Sequence, residues 1–494
     1  MRTVLTADQM RWLEAECFER GMPSIEAMER AAFAVADELC RRLPPRSLVY
    51  FACGPGNNGG DGYAAARLYA SKGGRSVVFS MDEEARLKGD ALINCVRAHE
   101  TPRVWFRDPE APCERPDAWV DALFGIGISR PLDERSARLV RRMAADRRLG
   151  SLVVAVDVPS GLDGSTGRAL GEAVEADVTV TFEHLKAGHV LSAGPETCGE
   201  VVVAPIGLSG EVLGAARLIE PGDLKSALPR RARESHKSTF GHLLLVAGSV
   251  GMAGAALIAA RAALKSGVGL FTIACPASVV PILQLGAPGA LCAPLPEENG
   301  AISGAALDIL QEELAGKTAV AIGPGLSRRA HPGAVRLALE SGLPVVLDAD
   351  ALNLLAENPA LTALLAPHHV LTPHPGEAAR LTGEKPTDVL TGARALRALG
   401  ATVLLKGPTS AICGEELYLS MSGSPGMARG GSGDALTGIL GALLAQRLPP
   451  EKAAWVADEL HGLAGERAAE KYGVVSMGPM DLVDCLGEVM PFAL

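Results

Sequence analysis

SLVYFACGPGNNGGDGYAAARLYASKGGRSVVFS, residues 47–80, holds the pattern that decides the fold. The apolar run from Ser47 to Ala52 predicts a strand, Gly54 to Gly62 a glycine-rich turn leading into an alanine-rich helix, and Arg75 to Ser80 the next strand. Strand, helix and strand in such quick succession make a parallel βαβ unit. The same alternation continues outward. Strands are expected at Ala118 to Ala122, Leu152 to Val156 and Val178 to Phe182. A polar, basic stretch from Pro221 to Lys237, containing LPRRARESHK, then separates a second set at His242 to Ala247, Leu270 to Ala274, Ala319 to Ile322, Val345 to Asp348, Val370 to Thr372 and Thr402 to Lys406. The chain is therefore expected to be α/β throughout, in two halves that meet near residues 215–232.

Composition agrees and excludes several classes. At 494 residues the chain is too long for a single core. With 48% hydrophobic and 21% charged residues it is of ordinary globular make-up, and 56 Gly with only 4% aromatics point to close backbone packing. A net charge of −10 argues against nucleic acid or an anionic membrane surface as partner, so an anionic ligand needs a local site. The 10 Cys are scattered without a CxxC pair, which indicates reduced, buried thiols rather than a zinc site or a disulfide framework. MRTVLTADQMRWLEAECFERG at the N-terminus has no apolar core segment, and no later run is long and apolar enough to span a membrane. A cytoplasmic location is the expectation.

Successive N–H groups of a glycine-rich turn at a helix start can cradle a phosphate. Gly54, Gly56 and Gly59 also satisfy GxGxxG, and Asp82 stands where a dinucleotide dehydrogenase keeps its ribose-binding acid. A tight turn without a ligand fits the same residues. Further along, Asp121 lies in AWVDALFGIGISRP, and Asp157 and Ser160 lie in VVAVDVPSGLDGSTG, each after a predicted strand and so at the edge where open α/β sheets bind ligands. Taken singly, each Asp also fits a turn or a helix cap. As a set, Asn58, Asp121 and Ser160 are hard oxygen donors suited to an alkali or alkaline-earth cation.

GPGNNGGDG, DALFGIGISRP and VDVPSGLDGSTG, in that order, resemble the signature of the NAD(P)H-hydrate epimerase family, whose domain is known as the YjeF N-terminal domain, over residues 1–217. The resemblance implies a Rossmann-like three-layer sandwich. It implies that Asn57, Asn58, Gly59, Gly60 and Asp61, together with Gly125, Ile126, Gly127, Ile128, Ser129, Arg130 and Pro131, contact a hydrated dinucleotide, NADHX or NADPHX. It also implies potassium on Asn58, Asp121 and Ser160, with Asp157 at the substrate. In the hydrate the C6 hydroxyl lies next to a ring nitrogen whose lone pair helps expel it, and water can return on either face. A carboxylate near that carbon would shuttle the proton, and Asp157 is the candidate catalytic group.

In the second half HLLLVAGSVGMAGAALIAARAALKSG places a possible ligand loop at Gly248 to Gly254. AIGPGL, LDADALN and LTPHPGEAARL each follow an apolar strand. VLLKGPTSAI turns at Lys406, and ARGGSGDALTG puts Gly430 to Gly433 ahead of a helix headed by Asp434. N–H groups of Gly431, Ser432, Gly433 and Asp434 at that start would form an anion hole for a transferring phosphoryl group, with Asp434 beside it as a base toward a hydroxyl. An acid in the first turn of a helix is also an ordinary capping feature.

Together these motifs resemble the ADP/ATP-dependent NAD(P)H-hydrate dehydratases, of ribokinase-like three-layer fold, over residues 225–494. The resemblance implies that Ala253, Gly325, His374 and Asp434 touch the hydrate, that Lys406, Gly407, Pro408, Thr409, Ser410 and Gly433 hold ADP or ATP, and that magnesium bridges the phosphates. Two half-chains with one shared substrate suggest a bifunctional repair enzyme that epimerises R and S hydrates and dehydrates the S form. A homo-oligomer is the expected assembly. The rivals are a ribokinase-like small-molecule kinase joined to a silent ligand-binding module, and a nicotinamide dehydrogenase built on the N-terminal GxGxxG.

Overall fold

The computed structural model describes residues 1–109, 113–228 and 230–490, so Pro229 of the basic stretch lies outside the described residues. The chain divides into two compact units, Arg2–Ala216 and Arg217–Leu494, with Met1 assigned to the second.

The N-terminal unit is built on a seven-stranded, all-parallel sheet. Its order is Val104–Arg107, Arg75–Ser80, Leu48–Cys53, Ala118–Ala122, Leu152–Val156, Val178–Phe182, Glu200–Ala204. Alternate side chains of Leu48–Cys53 supply the two faces. Val49, Phe51 and Cys53 pack under the helices Ser24–Arg42 and Asn57–Ser71, while Tyr50 and Ala52 pack with Leu139, Val140 and Met143 of the helix Glu134–Arg148. Both faces are covered, which is why these strands read as continuous apolar runs.

The chain winds from Leu48–Cys53 outward to Val104–Arg107, then returns to the other side of its starting strand at Ala118–Ala122. That reversal opens a crevice at the carboxyl ends of the two adjacent strands. Pro55–Asn58 and Leu123–Ile128 flank it.

The glycine-rich segment differs from its expected form. The turn is short, and the helix begins at Asn57 with Gly56 as its cap. None of Gly54, Gly56, Gly59, Gly60 and Gly62 has a positive φ. They serve close approach instead: a Cβ at Gly54 would stand 1.8 Å from the Leu123 carbonyl oxygen, and one at Gly59 would stand 1.8 Å from that of Gly54.

In the C-terminal unit seven strands are parallel in the order Leu291–Leu295, Leu270–Pro276, His242–Val246, Ala319–Ile322, Val345–Leu347, His369–Leu371, Thr402–Leu405, and an antiparallel meander, Ser410–Cys413 and Leu417–Ser420, extends them. The small-residue helix Ala253–Lys265 packs against Ser432–Ala445 on one face of the sheet. Gly438 permits this contact, since a Cβ there would stand 2.1 Å from the Ala259 carbonyl oxygen. Again the winding reverses, between His242–Val246 and Ala319–Ile322, and the loops at Gly248 and Gly323 sit at that point. Among the described residues, no helix is long and apolar enough to cross a membrane.

Candidate active sites

The N-terminal crevice holds a cavity of about 450 Å³. Its walls include Gly56, Asn57, Asn58 and Asp61 from the helix start, Leu123 to Ile128 from the facing loop, and Asp157. Arg11, Glu14 and Phe18 of the helix Ala7–Glu19 contribute another wall. Of the sequence candidates, Gly59 and Gly60 are buried in helix packing, Gly60 against Met28, and do not line the cavity. Ser129, Arg130 and Pro131 are exposed and continue the facing loop beyond it. Asp82, the acid a dehydrogenase reading needs, is not part of the wall either.

Asp157 follows the central strand Leu152–Val156 at φ 66°, a left-handed conformation that Asp tolerates better than most residues but that still costs energy. The surroundings fix it there. Its N–H donates to the Val180 carbonyl at 2.8 Å, and His189 Nε2 lies 2.8 Å from its own carbonyl oxygen. Lys186, 1% exposed, places its ammonium 2.6 Å from Asp157 Oδ1 and donates to Thr181 Oγ1 and the Phe182 carbonyl at 2.9 Å each. All three ammonium protons thus have a partner. Thr181 in turn donates to Asp157 Oδ1 at 2.9 Å. Burial, with the Lys186 charge adding to it, pushes the His189 imidazole down to about 4. A neutral ring then accepts the Lys186 N–H at Nδ1 and donates from Nε2, which orients both members of the pair.

Beside this pair Asp121 is fully buried. Ser160 donates to it from Oγ at 2.6 Å and from its backbone N–H at 2.7 Å, and the Leu123 N–H donates at 3.2 Å. Burial raises its carboxyl to about 6 against the pull of these donors. Asn58 is adjacent to the same loop, with Oδ1 3.0 Å from where a Cβ on Gly125 would lie, and its Nδ2 is buried with no hydrogen-bond partner. A buried carboxylate answered only by neutral donors, with an unsatisfied amide nearby, is a donor set that suits a cation. Which amide atom is oxygen follows from the partner chosen, so a cation would turn Oδ1 toward itself.

The C-terminal candidates gather at the strand ends. Lys406, following Thr402–Leu405, places Nζ 2.7 Å from Oδ1 of Asp348, which follows Val345–Leu347. Thr437 donates to Asp348 Oδ2 at 2.7 Å. The helix Ser432–Ala445 starts at this point, two residues earlier in the motif than Asp434, with Gly431 as a left-handed cap. A Cβ on Gly433 would lie 3.2 Å from Lys406 Nζ, so the ammonium sits against the amino end of that helix. Lysine charge, helix dipole and free N–H groups converge there on one anion-sized position. Asp434 is half-buried, and burial followed by the fields of Asp348, Asp350 and Glu377 raises it to about 7, against the opposing pull of Lys406.

Other C-terminal candidates fall into two groups. Ala253 begins the helix Ala253–Lys265, and Gly325, at φ 58°, packs against Met252. His374 caps the helix Pro375–Thr382 by accepting from the Gly376 and Glu377 N–H groups, with half its side chain exposed. Gly407 and Pro408 form an exposed turn, whereas Thr409 and Ser410 are buried. Ser410 hydrogen-bonds the buried Asp458 through its side chain. Lys186, Glu14, Arg11 and Asp348 are functional candidates that motif reading passed over. Asp348 alone was signalled, as an acid directly after a strand.

Comparison with known proteins covers both units. A family model described as YjeF-related protein N-terminus matches residues 24–188, and one described as NAD(P)H-hydrate dehydratase matches residues 243–487. A protein of Coxiella burnetii named bifunctional NAD(P)H-hydrate repair enzyme Nnr is 38% identical over 96% of this chain and 96% of its own length. Its namesake from Escherichia coli is 34% identical over 99% of this chain and 94% of its own. Among solved structures, an ADP/ATP-dependent NAD(P)H-hydrate dehydratase from Bacillus subtilis, co-crystallized with ATP and Mg2+, shares 29% identity over 56% of this chain and 97% of its own, with a TM-score of 0.47.

Proposed function

The chain belongs to the family of bifunctional NAD(P)H-hydrate repair enzymes, and from that premise we propose how its own side chains divide the work. It is an enzyme with NAD(P)H-hydrate epimerase and dehydratase activities. Epimerisation belongs to the N-terminal cavity and dehydration to the C-terminal strand ends. Supporting the first assignment above all is Asp157, paired with the buried Lys186, in the wall of a cavity lined by both candidate substrate loops.

In the epimerase, Lys186 and Thr181 hold Asp157 as an oriented carboxylate. When water adds back to C6 of the nicotinamide ring, Asp157 takes the proton that water releases. Asn57, Asp61 and the loop Gly125 to Pro131 hold the dinucleotide, and Arg11, which donates to the Ile126 carbonyl at 2.9 Å, braces that loop. Asn58, Asp121 and Ser160 suit potassium, whose charge would balance Asp121 and tie the facing loop to the helix start.

In the dehydratase, Asp434 accepts the C6 hydroxyl proton as that oxygen attacks the terminal phosphorus of ADP or ATP. Lys406 and the N–H groups of Gly433 and Asp434 receive the negative charge of the transferring phosphoryl group. Phosphate then leaves C6 in place of hydroxide, pushed by the N1 lone pair, and loss of a C5 proton to the departing phosphate or to water re-forms the C5=C6 double bond. Ala253, Gly325 and His374 are assigned to the hydrate, and Lys406 to Ser410 to the nucleotide. Magnesium supplies phosphate charge neutralisation, and Asp348, Asp350 and Glu377 provide the hard oxygens around that position.

The test uses separated R and S hydrates, each with ADP, with ATP and with neither, in potassium or tetramethylammonium buffer. We expect S hydrate to yield NADH with a nucleotide, and R hydrate to follow through epimerisation that weakens without potassium. Accumulation of a stable phosphorylated hydrate instead would identify a kinase.

A further inference from the structure

Two carboxyls in the epimerase cavity, Glu14 and Asp90, have no role in that account. Glu14 comes from the helix Ala7–Glu19, which precedes the segment matched by the N-terminal family model. It lines the cavity together with Asp157, which is carried by the opposite kind of element, the end of a central strand. Epimerisation at C6 has a chemical need that Asp157 alone does not meet. The departing hydroxyl must gain a proton on one face of the ring, while the incoming water must lose one on the other.

We propose that Glu14 is the proton donor of the epimerase, working with Asp157 as the acceptor. The inference rests on the epimerase reading of this cavity. In the forward step the N1 lone pair forms the C=N bond to C6, the C6–O bond breaks, and the Glu14 proton goes to the departing oxygen, releasing water. A second water then forms the new C6–O bond with its own lone pair on the other face, the C=N π pair returns to N1 as its lone pair, and the water's proton passes to Asp157. Proton exchange with solvent resets the pair, and the reverse direction exchanges the two roles.

The two carboxyls live in opposite environments. Asp157 is held by an ammonium at 2.6 Å and a hydroxyl at 2.9 Å. No hydrogen bond from a described residue engages Glu14. Burial and then the Asp157 charge raise Glu14 to about 7, against Lys186 and Arg11, which pull it down. Glu14 is thereby suited to donate, while the ammonium and hydroxyl hold Asp157 in place to accept. Asp61 and Asp90 are the further acids of the cavity, and Asp61, partly buried, also faces Asp157, Glu14 and Lys186. Burial, then the charges of Asp157 and Glu14, push Asp61 well above the ordinary carboxyl range, against the pull of Lys186.

The experiment follows R-to-S interconversion by the full chain across neutral pH, for wild type, Glu14→Gln, Glu14→Asp and Asp61→Asn, with thermal unfolding of the N-terminal unit as the control of folding. Wild-type kcat should fall as pH rises through about 7, because the donor is active only while protonated. Glu14→Gln should lose about 10²–10⁴-fold in kcat with KM little changed and without that alkaline limb. Glu14→Asp should keep the limb. Full activity in Glu14→Gln, or a limb that survives there and vanishes in Asp61→Asn, overturns the proposal. Should Glu14→Gln lose that unfolding transition, the wild-type and Glu14→Asp profiles decide, and a flat profile in both overturns the proposal. A wild type that does not interconvert the hydrates at all would instead remove the epimerase reading itself.

Discussion

Asp157 and Asp434 are both acids at the carboxyl ends of parallel sheets, and their surroundings differ. Asp157 has a lysine in direct contact. The lysine near Asp434 is already committed to Asp348 at 2.7 Å, so burial and neighbouring acids win and Asp434 rises to about 7. A base works only when deprotonated. Dehydration of S hydrate should therefore fall as pH drops below about 7, the reverse of the limb expected for epimerisation. Asp434→Asn should lose about 10²–10⁴-fold in dehydratase kcat while leaving epimerisation unchanged. A pH-independent kcat from acid to neutral conditions in the wild type, or an active Asn variant, would remove the base from Asp434. At this scale the sequence displayed the acids and concealed their partners. Lys186 sits in EHLKAG, a polar stretch that reads as an ordinary turn, and only the sheet brings it to Asp157. Glu14 lies among alternating polar residues of an amphipathic helix, where one more acid carries no signal.

The strands were far more legible than the turns between them. Arg75–Ser80, Ala118–Ala122, Leu152–Val156, Val178–Phe182 and Ala319–Ile322 begin and end where their apolar runs do, because each is covered on both faces. The glycine motifs were read less well, since glycine serves two needs that sequence does not separate. Gly431 and Gly433, two positions apart at one helix start, show the difference. Gly431 has φ 101°, and a Cβ there would also stand 2.8 Å from Ile258 and 2.9 Å from Pro479. Gly433 has no such constraint, and its Cβ would point at Lys406 Nζ. Gly431→Ala should cost about 1–2 kcal/mol from the left-handed backbone alone and lower the unfolding midpoint of the C-terminal unit. Gly433→Ala should keep that midpoint and lose dehydratase activity, because the methyl group occupies the space for the phosphoryl group. Thermal unfolding beside a dehydration assay separates the two, and equal midpoints for both variants would contradict the assignment.

Across the whole molecule, each proposed site is complete within one compact unit. The epimerase cavity draws its wall from Arg11 through Ile206, all within Arg2–Ala216, and the dehydratase candidates run from Ala253 to Asp434, all within Arg217–Leu494. Each unit has its own parallel sheet, with its own reversal of winding to open a crevice. Nothing in either donor set has to be borrowed from the other unit, so the hydrate can leave one site and reach the other through solvent. The consequence is complementation between chains. Asp157→Asn alone should convert the S fraction of a mixed hydrate to NADH and then slow to the rate of uncatalysed epimerisation. Asp434→Asn alone should produce no NADH. A mixture of the two full-length variants should consume both epimers to completion, at a rate set by the concentration of each intact site and falling on dilution as expected for a freely diffusing intermediate. If the mixture stalls where Asp157→Asn alone stalls, the two sites must act on the substrate within a single chain, and the independence of the two units is wrong.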